Sequence, residues 1–65
     1  MSDLILTPNI RDVDDFYEEL LQAHDGLGKP ESDAFNARLV LVLANHIGDR
    51  AILTRALAAA ALKEE

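Results

Sequence analysis

The stretch Ala37-Arg38-Leu39-Val40-Leu41-Val42-Leu43-Ala44, running into Asn45-His46-Ile47-Gly48-Asp49, decides the fold. Its apolar run is too continuous for one face of a surface helix, and a helix apolar nearly all round is normally covered on more than one side. β-branched Val40 and Val42 would suit a strand if the run stood alone. The flanks favour a helix. Pro30 suits a first helical turn, Glu31 and Asp33 place acids at the positive end of the dipole, and Gly48 supplies a left-handed stop. The run is therefore read as a helix over about 30–47. Phe35, Leu39, Val42, Leu43 and Ile47 form its main buried face, and Val40 and Leu41 point elsewhere.

Upstream, Val13, Phe16, Tyr17, Leu20, Leu21 and His24 recur at the three-and-four spacing of an amphipathic helix over about 13–25. Asp12 is the expected N-cap, with Asp15 as a shorter version of the usual capping-box Glu, and Gly26 ends the helix. Before it, Leu4-Ile5-Leu6-Thr7 is a short β-prone segment stopped by Pro8. It is read as an extended arm over 1–11 or as a small edge strand, the only strand position that tolerates proline. Downstream, Asp49 is the expected N-cap of a third helix over about 50–62. Ile52, Leu53, Ala56, Leu57 and Ala60 form its stripe, and Lys63 complements its C-terminal dipole. The fold class is all-α: one small three-helix domain with a short extended N-terminal arm.

Size shapes the next expectation. The chain has 65 residues and no cysteine, which removes disulfides, thiolate zinc sites and cysteine nucleophiles. A single core below about 70 residues rarely supplies more than about 3–5 kcal/mol, and natural chains of this size add a staple or a partner subunit. With a two-sided middle helix, the sequence predicts a homodimer, with the second helix and the alanine-rich third helix in contact.

The formal net charge of −6 is unevenly placed. Residues 1–25 hold Asp3, Asp12, Asp14, Asp15, Glu18, Glu19 and Asp25 against Arg11 alone, whereas acids and bases balance over 26–65. An acidic chain without a basic stripe repels phosphate backbones, which excludes direct nucleic-acid binding, and an apolar second helix is wrong for a DNA-reading helix-turn-helix. The acidic third serves either as a solvated face that keeps a small protein soluble or as a contact for a basic protein partner. No run approaches the roughly 20 apolar residues that span a bilayer. The start at Met1 lacks the basic and long apolar regions of a signal peptide, so a cytoplasmic location is expected.

Little in the chain carries chemistry. Asn45, His46, Gly48 and Asp49 read first as the joint between the second and third helices. Asn45 would bond open carbonyls, His46 would complement the dipole, and Asp49 would cap the third helix and reach His46 or Arg50. The functional alternative makes His46 and Asp49 metal ligands, an acid–base pair or the centre of a small-ligand site. His24 would then complete a two-histidine, one-carboxylate metal set. That spacing matches no established metal motif. His24 is expected half buried on the core with one nitrogen bonded to backbone or water, and Phe16 and Tyr17 are expected as core and rim. A pocket of roughly 300 Å³ is hard to enclose in so short a chain. Ser32 lies in a first helical turn between Glu31 and Asp33, with no base evident. The attachment segment of acyl carrier proteins, Asp-Ser-Leu, is not matched by Glu31-Ser32-Asp33. No glycine-rich phosphate loop is present, no cofactor is indicated, and no catalytic constellation is complete, so the chain is expected not to be an enzyme.

Leu6-Thr7-Pro8-Asn9-Ile10, Asp14-Asp15-Phe16-Tyr17, Asn36-Ala37-Arg38-Leu39-Val40-Leu41 and Ala44-Asn45-His46-Ile47-Gly48-Asp49 together resemble a family of very short bacterial proteins catalogued as a conserved domain of unknown function. The resemblance runs from about Leu6 to Leu57, and Asn45–Asp49 is its most specific part. It implies a small cytoplasmic helical protein. Some relatives carry labels linking them to aromatic-ring dioxygenases, which for so short a chain implies an accessory subunit of a larger enzyme. A non-catalytic protein acting through contacts, as a homodimer or as such a subunit, is the expected function.

Overall fold

A computed structural model describes residues 3–62 as an arm followed by three helices: α1 (Val13–His24), α2 (Lys29–Ile47) and α3 (Arg50–Ala60). The arm contains no strand among the described residues. None of the helices is long and apolar enough to cross a membrane.

The helix ends follow local chemistry. α1 stops at His24 because Asp25 turns to φ −61°, ψ 130° and Gly26 to φ 81°, and the Leu27 N–H donates to the His24 carbonyl at 3.1 Å. This is a type II turn, whose third residue needs positive φ and so favours glycine. α2 begins one residue before the expected Pro30. Gly28 holds the N-cap position without a side chain, and its carbonyl accepts from the Ser32 N–H at 2.9 Å. Gly48, at φ 70°, closes α2 by donating its N–H to the Ala44 carbonyl at 2.9 Å. α3 ends at Ala60 rather than at 62, with Leu62 in the left-handed region at φ 60°. Lys63, expected to complement the dipole there, lies outside the described residues.

One cap differs from expectation. Asp12 sits at φ 57°, ψ 47° and makes no side-chain cap, so the Asp12–Asp15 box does not form. A capping side chain needs an extended backbone to reach the amides of the first turn, and a left-handed residue aims it elsewhere. Aspartate tolerates that region better than most residues. Only the Asp12 carbonyl serves the helix, accepting from the Phe16 N–H at 3.1 Å.

The larger difference lies in packing. Among the described residues none is buried, and no two helices pack along their lengths. The face expected to be the core of α2 is only half covered at Phe35 and Leu39, and Val42, Leu43 and Ile47 are 63, 48 and 49% exposed. On α1, Leu20 and His24 are half covered while Phe16, Tyr17 and Leu21 are exposed. On α3, Ile52, Leu53 and Ala56 are half covered, but Leu57 is 70% exposed. The radius of gyration is 13.7 Å, against about 10.7 Å for a compact chain of this length. The connections at 25–28 and 48–49 turn the chain without packing one helix along another, so the stripes are formed but stay largely uncovered. The arm reaches α3 through Asp3, whose carboxylate lies 3.5 Å from the Arg55 guanidinium, an exposed pair of small energetic weight.

Candidate functional site

Two polar joints and one apolar stripe are the features with functional potential. The first joint is built on His24. The four-residue connection sets the last turn of α1 against the first turns of α2, where Ser32 and Asn36 share a face at i, i+4 spacing. His24 Nδ1 lies 3.0 Å from Ser32 Oγ, and Nε2 lies 3.1 Å from Asn36 Oδ1. The Asn36 carbonyl oxygen can only accept, which places a proton on Nε2, and in the neutral ring Nδ1 then accepts from the Ser32 hydroxyl. The ring edge also packs on Phe35, with centroids 4.7 Å apart at 64°. The histidine is half buried as expected, but both nitrogens bond to side chains of α2 rather than one to backbone or water.

His24 also supplies the base that sequence reading did not find beside Ser32. The pair resembles a nucleophile and its general base. The same contacts also tie the last turn of α1 to the first turns of α2. The signal that could have revealed it is the Ser32/Asn36 pair on one helix face, one tight turn away from a histidine.

At the second joint Asp49 caps α3: its Oδ1 accepts from the Ile52 N–H at 3.1 Å. It pairs with neither His46 nor Arg50. Asn45 and His46 are exposed on the last turn of α2 and make no side-chain hydrogen bond to another described residue. Asp49→Ala is expected to cost about 1 kcal/mol and Asp49→Asn much less, because asparagine keeps the accepting oxygen. Urea denaturation of both variants measures the difference.

The two joints are not brought together. From Asn36, which holds His24, to His46 the helix rises about 15 Å. One chain therefore does not gather His24, His46 and Asp49 around one ion. No group of three potential ligands of this kind occurs among the described residues.

The apolar stripe is the most extensive feature. Val42, Leu43 and Ile47 continue, at helical spacing, the line of Phe35 and Leu39, and they do so in the open. A family model described as "Protein of unknown function (DUF2783)" matches residues 4–62. The chain belongs to the DUF2783 family. The DUF2783 match takes in both joints, the whole stripe and the arm from Leu4 onward. Comparison with curated proteins and with solved structures gave no match.

Proposed function

We propose that this DUF2783 chain works by protein contact rather than by catalysis, as one subunit of a homodimer or as an accessory subunit of a larger enzyme. The observation that carries the reading is unfilled cover. The chain exposes 6001 Å², whereas a compact protein of 7.1 kDa exposes about 4,100 Å². Formed helices with correctly placed apolar stripes and no buried residue describe half of a core. The groups with chemical potential support the same view, since His24, Ser32, Asn36 and Asp49 each hold a joint between helices. The accessory form draws on the resemblance to relatives labelled as dioxygenase-related.

The reading makes stability depend on concentration, because folding that requires association follows mass action. Each tenfold dilution of a dimer removes about 1.4 kcal/mol, which for two chains of this length lowers the melting midpoint by roughly 5 °C. Far-ultraviolet circular dichroism melts over a wide dilution series measure it. A chain that melts without cooperativity at every concentration and orders on addition of a larger enzyme fits the accessory form. A cooperative midpoint that does not move with dilution overturns the reading.

A further inference from the structure

We infer that the partner is a second copy of this chain, docked by antiparallel two-fold pairing of α2 with α2, so that the acidic α1 of each copy lies beside the cationic α3 of the other. This rests on the contact reading above and names its partner. Three observations lead to it.

The first is area. The chain exposes roughly 1,900 Å² beyond what a compact chain of its mass would. Two copies covering that excess on each other bury roughly 3,800 Å², within the 2,000–5,000 Å² range of obligate homodimers.

The second is charge. α1 carries Asp14, Asp15, Glu18 and Glu19 and no lysine or arginine, and α3 carries Arg50 and Arg55 and no acid. These two surfaces are complementary, yet within one chain they are not packed together. Arg55 touches Asp3 of the arm at 3.5 Å, and both side chains stay largely exposed. One surface thus offers both halves of an electrostatic match, as a self-complementary two-fold interface requires.

The third is topology. α1 joins α2 at its N-terminal end through residues 25–28, and α3 joins it at its C-terminal end through Gly48 and Asp49. Antiparallel pairing of two α2 helices, each about 28 Å long, places the N-terminal end of one beside the C-terminal end of the other. α1 of one copy then meets α3 of its partner at both ends of the pair. Parallel pairing instead sets α1 against α1, bringing like charges together. The antiparallel register also lays the bare Val42–Ile47 half of α2 along the half of the partner's α2 that carries Phe35 and Leu39.

The chain's lack of cysteine gives a clean test. Gln22→Cys, on an exposed position of α1, is coupled to a nitroxide in an unlabelled chain and mixed in large excess with wild-type chain labelled with nitrogen-15. The expected result is a sedimentation mass of twice 7.1 kDa and loss of most of the amide signal from Arg50–Ala60 in the labelled chain, with α1 spared. A dimer in which α1 loses signal and α3 keeps it overturns the antiparallel register and leaves the contact reading standing. A monomer that lacks a cooperative transition and orders only with a different protein overturns the second copy as partner, again leaving the contact reading. A monomer with a sharp, concentration-independent transition overturns both.

Discussion

Val42→Lys is expected to dissolve the assembly and to lower stability by about 2–4 kcal/mol per chain. In the single chain Val42 is 63% exposed in the interior of α2. Lysine has a better helix propensity than β-branched valine by about 0.3 kcal/mol. If the isolated chain were the working protein, the substitution would be neutral or slightly stabilising, as most exposed changes are. If a second chain covers the stripe, the ammonium must be desolvated without a partner or the contact must open, and either is costly. The two cases differ in sign, so modest precision decides between them. Val42→Ala grades the effect. Alanine gains about 0.6 kcal/mol in helix propensity. Under cover it loses the burial of roughly two methylene equivalents, about 1.5 kcal/mol. Urea denaturation at fixed chain concentration, paired with sedimentation equilibrium, reads both quantities. Unchanged mass and midpoint in Val42→Lys would mean that the stripe faces water in the native protein.

This contrast marks the boundary of what the sequence makes legible. Periodicity shows which residues share a face, and Phe35, Leu39, Val42, Leu43 and Ile47 do share one. It does not show whose atoms cover that face. The shared face of α2 is thus legible as a face, while within one chain it stays largely uncovered. Punctuation was more readable than packing. Gly26, Gly48 and Asp49 adopt the conformations their residue types favour, and the helices end or begin beside them. Asp12 shows the limit of that logic. Its residue type is right for a cap, but the backbone entering from Pro8–Arg11 leaves it left-handed, and the cap is lost. The end of α3 was illegible for another reason, since a run of alanines carries no stop signal. The His24 cluster fell between these cases. Ser32 and Asn36 share a helix face by spacing alone, but joining them to His24 requires the angle of a turn that composition does not set.

His24→Ala is expected to cost about 2–2.5 kcal/mol per chain, about half of what so small a core supplies. The substitution removes hydrogen bonds to Ser32 Oγ and Asn36 Oδ1 and the edge contact with Phe35. Each neutral hydrogen bond contributes about 1 kcal/mol, and the aromatic edge contact about 0.5–1 kcal/mol. Alanine returns about 0.6 kcal/mol through its helix propensity, which sets the net value. Ser32 is half buried whereas Asn36 is exposed, so losing the Ser32 bond should weigh more, because its oxygen is less easily rehydrated. A double-mutant cycle of His24→Ala with Ser32→Ala isolates that bond, with a coupling of about 0.5–1 kcal/mol expected against a smaller value for the Asn36 cycle. Because the joint aims α1 along the start of α2, its loss should also reduce association in the nitroxide experiment, dimming the Arg50–Ala60 effect without shifting it to α1. Stability and coupling within about 0.3 kcal/mol of zero would show that the type II turn alone fixes the angle between these helices, and that the histidine is only resting against them.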